Sequence, residues 1–61
     1  MKLNSLLKIL KEDGWQEVRQ KGSHKVFKHP TKKGTVTVPY HGDRDVPTGT
    51  LNSILKQAGL K

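Results

Sequence analysis

His24 is the residue whose type and neighbours best suit it to chemistry, because it directly follows Gly22 and Ser23 within a strongly basic stretch. An imidazole accepts and donates protons near neutral pH, so it can act as a general base or a general acid. Metal-free RNA cleavage needs such a group, since the 2′-hydroxyl loses a proton as it attacks the adjacent phosphate and the leaving 5′-oxygen gains one. The alternative is a loop histidine that hydrogen-bonds a backbone group or a phosphate without chemistry.

The charged residues separate along the chain, because no Asp or Glu occurs between Val18 and Gly42. Such a stretch favours binding to a polyanion, most simply a nucleic acid, with an affinity that falls steeply with added salt. Cations near His24 could also stabilise the charge that builds on the phosphoryl oxygens during cleavage. The alternative is a basic surface that serves solubility alone. The candidate RNA-binding residues are Arg19, Lys21, Ser23, Lys25, Lys28 and His29.

The other two histidines are weaker candidates for chemistry. His29 precedes Pro30 and is expected to make a turn-stabilising hydrogen bond or a phosphate contact, and the same applies to His41. The intervals between the three histidines match no compact metal-ligand motif, and no carboxylate lies between them. We therefore expect no metal site and no cofactor.

The size and composition of the chain limit what it can be. It has 61 residues, 12 Lys and Arg against 5 Asp and Glu, a net charge of +7 and no Cys. We expect a single domain over residues 1–61, with any chemistry on a surface or in a shallow cleft. No disulfide or thiol nucleophile is possible, and no stretch has the roughly 20 apolar residues of a membrane span. The sequence is that expected of a soluble, cytoplasmic protein.

Two helices and three strands must position these residues. Leu3, Leu6, Leu7 and Leu10 follow the spacing of one helical stripe, with Asn4 or Ser5 as a possible cap and Gly14 at the end. The second helix repeats that spacing near the other end of the chain; its stripe is Leu51, Ile54, Leu55 and Ala58, with Thr48 or Thr50 as a possible cap and Gly59 at the end.

Strand signals fill the middle of the chain, over Trp15–Lys21, His24–His29 and Thr35–Val38, and a polar loop follows over 40–47. Short turns predict an antiparallel meander. The fold class is therefore α+β, in the order α-β-β-β-α, with a three-stranded antiparallel sheet and both helices packed on one face. Trp15 and Phe27 are expected in the core, whereas Tyr40 could stack on a base or cap the core.

Sequence motifs run in order through nearly the whole chain: Gly14-Trp15, Arg19-Gln20-Lys21-Gly22-Ser23-His24, Phe27, His29-Pro30, Val36-Thr37-Val38-Pro39, His41-Gly42, Pro47-Thr48-Gly49-Thr50-Leu51, Ile54-Leu55 and Ala58-Gly59-Leu60. Together they resemble the HicA toxins of bacterial and archaeal HicA–HicB toxin–antitoxin systems. The resemblance implies a fold like that of double-stranded-RNA-binding domains, and an mRNA interferase that cleaves transcripts independently of the ribosome and arrests translation. It identifies His24, in the Gly-Ser-His motif, as the catalytic residue.

The resemblance also implies a HicB-like antitoxin that covers the active site. In that family the complex usually represses its own operon through HicB, so operator DNA is an indirect partner.

Two departures from the family pattern concern substrate binding. Lys25 stands where many relatives have a second histidine or an apolar residue, and the last helix begins at 47–51 without a Lys that could grip duplex phosphates. Single-stranded mRNA is therefore the expected substrate. The rival hypotheses are a non-catalytic RNA-binding module and an inert relative that only binds an antitoxin-like partner.

Overall fold

A computed structural model describes residues 1–61 as α1 (Leu3–Glu12), β1 (Gln16–Lys21), β2 (His24–Lys28), β3 (Thr35–Pro39) and α2 (Thr48–Gln57). The predicted order of elements is confirmed, and each strand boundary lies within one residue of its prediction. The strands form an antiparallel meander in which β2 is central. Neither helix has the length or the apolar content needed to cross a membrane.

One core holds both helices against the same face of the sheet. The four leucines of the α1 stripe are buried, as are Ile54 of α2 and Ala58, which directly follows that helix. The sheet contributes Phe27, Val36 and Val38, and Trp15 enters the core directly before β1. The ten buried residues are all apolar, so this face is stabilised by burial of apolar surface. The opposite face carries no helix and is open to solvent.

Both helices end at a glycine, as predicted. Gly14 has φ 106°, its N–H donates to the Lys11 carbonyl, and the Trp15 N–H donates to the Leu10 carbonyl. Gly59 ends α2 with the same pair of backbone hydrogen bonds. This is the Schellman arrangement, which needs a left-handed residue after the helix and therefore favours glycine. At the end of α1 it turns the chain so that Trp15 enters the core.

The predicted N-terminal caps are wrong. Asn4 and Ser5 lie inside α1, and Thr48 and Thr50 lie inside α2. The first turn of α1 is instead capped by the loop 40–47. Its Asp43 Oδ1 accepts from the Asn4 N–H at 3.1 Å, and the Leu3 N–H donates to the Arg44 carbonyl at 2.8 Å. A carboxylate at a helix N-terminus also interacts favourably with the helix dipole.

Candidate nucleic-acid interface

Side-chain alternation along β2 divides its residues between two faces. Phe27 is buried under the helices, so Lys25 shares its face, whereas His24, Val26 and Lys28 belong to the other face. We call the helix-free surface of the sheet the open face. Strand pairing arranges it in three rows across the sheet, which are Lys21–His24–Pro39, Arg19–Val26–Thr37 and Gln16–Lys28–Thr35.

His24 is positioned by a tight hairpin turn at one end of the open face. Gly22 has φ 58° at the first central position of the two-residue turn, a conformation that favours glycine and joins strands with the correct twist. The Tyr40 N–H donates to the Ser23 carbonyl at 2.6 Å and so ties the turn to the end of β3. His24 therefore has a fixed backbone at the end of the central strand, while its side chain is exposed.

Lys21 is the cation that strand pairing places beside His24. The two residues are direct cross-strand partners at the last rung before the turn. Directly opposed residues of an antiparallel pair have Cβ atoms about 5 Å apart, which is within reach of a lysine side chain. An ammonium group can therefore approach an anion held at the imidazole.

Lys25 is separated from His24, although it follows it in sequence. Its Nζ is 2.9 Å from Glu17 Oε1 and 3.3 Å from Gln20 Oε1, and it lies 4.8 Å from the centre of the Tyr40 ring. The side chain is only 16% exposed. Its charge is thus already paired on the face covered by the helices. Tyr40 is half-buried, packs against the core and carries this cation over its ring, so it caps the core.

His29 makes the turn-stabilising contacts that were one of its two predicted roles. Its side chain is 8% exposed and packs edge-on against Trp15, with ring centres 5.2 Å apart. Nε2 lies 2.6 Å from the Asp13 carbonyl oxygen, and Nδ1 accepts from the N–H groups of Thr31 and Lys32 at 3.1 Å. A carbonyl only accepts and a backbone N–H only donates, so these partners select the neutral Nε2–H tautomer. Both ring nitrogens are occupied within the fold.

Lys32 joins the two helix ends beside this histidine. Its Nζ donates to Asp13 Oδ2 at 2.6 Å and to the Ala58 carbonyl at 3.0 Å. The hydrogen bond from Lys32 holds the pKa of the Asp13 carboxyl below its usual value, aided by the positive charge of that lysine. Lys32 therefore acts in the packing of the helix ends rather than on the open face.

The open face carries cations without carboxylates. Arg19, Lys21 and Lys28 point to this face and belong to none of the ion pairs of the molecule. The carboxylates of Asp13, Glu17 and Asp45 pair with lysines on the helix side, and Asp43 caps α1 there. Three cations on a surface free of negative charge form an electrostatic site for a polyanion.

The remaining sequence candidates have other positions. Ser23 is half-buried in the hairpin turn, and His41 is exposed in the loop 40–47. No group of three or more His, Asp or Glu side chains is arranged to hold a metal ion. Sequence reasoning missed Thr35 and Thr37, which face the same side as His24. The alternation of Thr and Val through β3 was the signal that could have found them.

Comparison with known proteins shows similarity to a toxin family and to a solved structure. The sequence model of the family described as the HicA toxin of bacterial toxin–antitoxin matches residues 4–60. Among solved structures, a chain of the "HicA3 and HicB3 toxin-antitoxin complex" is similar in fold, with a TM-score of 0.81 and 32% sequence identity. The match covers 100% of the present chain and 97% of that chain. No curated protein matches the sequence.

Proposed function

Because the chain belongs to the HicA family of toxins of bacterial toxin–antitoxin pairs, we propose that it is an endoribonuclease that cleaves mRNA in the cytoplasm and arrests translation. The observation that carries the proposal is the placement of His24. Its exposed imidazole stands in register with Lys21 on a face without carboxylates. A proton-transfer group and a cation are thus presented together to an approaching phosphodiester.

The proposed reaction is an attack by the RNA on its own backbone. His24 takes the proton of a 2′-hydroxyl, whose oxygen forms a bond to the adjacent phosphorus. The bond from phosphorus to the 5′-oxygen breaks, and that oxygen takes a proton from solvent, to which the site is open. Lys21 stabilises the extra charge on the phosphoryl oxygens. The products are a 2′,3′-cyclic phosphate and a 5′-hydroxyl, and the residues that act are His24 and Lys21, with no metal ion and no cofactor.

Single-stranded RNA is the proposed substrate. The start of α2 carries no lysine to grip a duplex. Trp15 and Phe27 are buried and Tyr40 caps the core, so the chain offers no stacking platform of aromatic rings. Contacts to phosphates by Arg19 and Lys28, rather than stacking on bases, are therefore the proposed source of affinity.

A HicB-like antitoxin is the proposed protein partner. The support is the similar chain in the HicA3 and HicB3 complex. An antitoxin that covers the open face around His24 would exclude RNA and neutralise the unpaired cations. Operator DNA is then contacted through the antitoxin in the complex.

The test is cleavage of a long mRNA by the purified chain in excess EDTA, with product ends identified by mass spectrometry. We expect cleavage by the wild type and by His41→Ala, which removes another exposed histidine, and cleavage at least about 100-fold slower by His24→Ala. Cleavage by His24→Ala at a rate within tenfold of the wild type, or cleavage that requires a divalent ion, would overturn the proposed mechanism.

One observation favours a second candidate function, a non-catalytic RNA-binding module. No side chain hydrogen-bonds the His24 imidazole to orient it, in contrast to the two occupied nitrogens of His29. This alternative predicts that the wild type retards RNA in a gel but never cuts it.

A further inference from the structure

A shallow groove crosses the open face next to His24, and the proposed reaction leaves most of it without a role. Residues of all three strands line it: Val18, Arg19, Val26, Lys28, Thr35 and Thr37. A β-bulge between Glu17 and Arg19 adds Val18 to β1. Val18 is 51% exposed. The groove therefore has an apolar floor, two unpaired cations and two exposed threonines.

The rows of the open face give this groove a regular spacing along β2. His24, Val26 and Lys28 follow each other at intervals of two residues, or about 6.6 Å. Each row contains one unpaired cation, which is Lys21 in the first, Arg19 in the second and Lys28 in the third. Cations repeated at such a step suit an extended polyanion whose charges recur at a similar distance.

We infer that this groove is a subsite that holds single-stranded RNA on one side of the scissile bond, an inference that rests on the proposed function. The scissile phosphate lies at the row of His24 and Lys21. The next two phosphates lie at Arg19 and Lys28, where the hydroxyls of Thr37 and Thr35 donate to phosphate or pair with the 2′-hydroxyl. Val18 and Val26 contact the faces of the riboses.

The position of His24 makes the subsite asymmetric. Its row is the last one before the turn at Gly22 and Ser23, so the sheet ends there. The rows extend from His24 only toward Lys28, over about 13 Å, and the groove occupies the two rows beyond that of His24. At the spacing of the rows, that length holds the scissile phosphate and the two phosphates beyond it. RNA on the other side of the scissile bond leaves the sheet.

The first test measures cleavage of short RNAs by the wild-type chain. After one cleavage site has been mapped, oligonucleotides are lengthened one nucleotide at a time on either side of it. We expect KM to fall with length on one side only and to level off after about two nucleotides, one for each row beyond that of His24. An equal gain on both sides would overturn the inference.

The second test measures binding of a fluorescent 12-nucleotide RNA to the non-cleaving His24→Ala chain at several salt concentrations. Adding Arg19→Gln and Lys28→Gln should weaken binding about tenfold, and should reduce the slope of log affinity against log salt by about 1.4. The matched control is Lys8→Gln with Lys11→Gln, which removes the same charge from exposed positions of α1. Equal losses of RNA affinity in the two pairs of variants would mean a general charge effect and would overturn the subsite.

These outcomes separate the subsite from the proposed nuclease. Wild-type cleavage with a KM unchanged by Arg19→Gln and Lys28→Gln would refute the groove and leave the nuclease intact. A different result would refute the nuclease and leave the groove as an RNA site. In that case the wild type does not cleave RNA, and the salt slope is reduced by Arg19→Gln with Lys28→Gln but not by the control pair.

Thr37→Val, which keeps the β-branched shape, should raise KM for RNA while leaving the melting temperature unchanged.

Discussion

Two histidines lie five residues apart, and the fold uses them in opposite ways. His24 begins β2 with an exposed imidazole, whereas His29 follows the same strand with a side chain that is 8% exposed. The separation is an odd number of residues, so alternation along an extended chain sends the two rings to opposite sides of the sheet. Residue type and a basic neighbourhood are common to both. What distinguishes them is whether the protein itself already occupies the ring nitrogens.

The occupied ring of His29 connects three segments of the fold. It touches Trp15 and the end of α1 at Asp13, and it accepts from the loop between β2 and β3. The free ring of His24 connects nothing within the chain. Substitution of the two residues should therefore separate activity from stability.

The largest expected effect is on the reaction, from His24→Ala. General acid–base groups contribute about 10²- to 10⁴-fold to a rate, so cleavage should fall by at least that lower value. The free energy of unfolding should change by less than about 0.5 kcal/mol, since the side chain is exposed. Parallel single-turnover cleavage and urea unfolding measure both quantities. A rate within tenfold of the wild type would remove His24 from the chemistry.

The next effect is on stability, from His29→Ala. Loss of the buried ring leaves the Asp13 carbonyl and two N–H groups without their partner, and should cost about 2–3 kcal/mol. Cleavage per folded molecule should persist. Urea unfolding compares this variant with His29→Gln, which keeps a donor and an acceptor and should recover part of the loss. A cost below about 0.5 kcal/mol would contradict the structural role.

Gly14→Ala tests how closely the backbone of the helix end approaches His29. The new Cβ would lie 2.7 Å from His29 Nε2, at a residue with φ 106°. We expect a loss of about 1–3 kcal/mol from backbone strain and crowding. Part of this loss should vanish in the His29→Ala background, because the crowding atom is gone. Strictly additive losses in the double-mutant cycle would show that only the backbone conformation matters.

The smallest expected effect is the pH dependence contributed by Asp13. Its folded pKa lies below the ordinary 3.8, chiefly through the Lys32 hydrogen bond. The ionised carboxylate therefore stabilises the fold above that ordinary value, and this contribution is lost as pH falls through the lowered folded pKa. Asp13→Asn should flatten the decline of the melting temperature between pH 6 and pH 3. An unchanged slope would mean that the contact with Lys32 does not contribute to stability.

Local patterns in the sequence predicted the helices and strands well, because each of these elements depends on residues that are neighbours in the chain. The leucine stripe of α1 and the left-handed glycines Gly14 and Gly59 act within one or two turns. The same reasoning failed for the cap of α1, where Asp43 acts from 39 residues away. A cap supplied through tertiary contact leaves no signature beside the helix it serves.

The charge of the basic residues did not predict which of them share a face of the sheet with His24. Lys25 and Lys28 look equivalent in a basic stretch, yet only one shares a face with His24. The phase of β2 follows from burial of Phe27, which places Lys25 on the helix side of the sheet, where Glu17 pairs with it. The bulge at Val18 has no local signature, so the groove it helps to form became visible only with the strands in register.

The capping of α1 by the loop 40–47 also bears on the order in which the molecule assembles and opens. Besides the bonds to Leu3 and Asn4, the Val46 N–H donates to the Met1 carbonyl at 2.8 Å. These bonds close a large segment of chain, so the first turn of α1 gains its partners only after most of the fold is in place. That turn and the loop form one cooperative unit, whose amides should exchange with solvent together and ahead of those in β2.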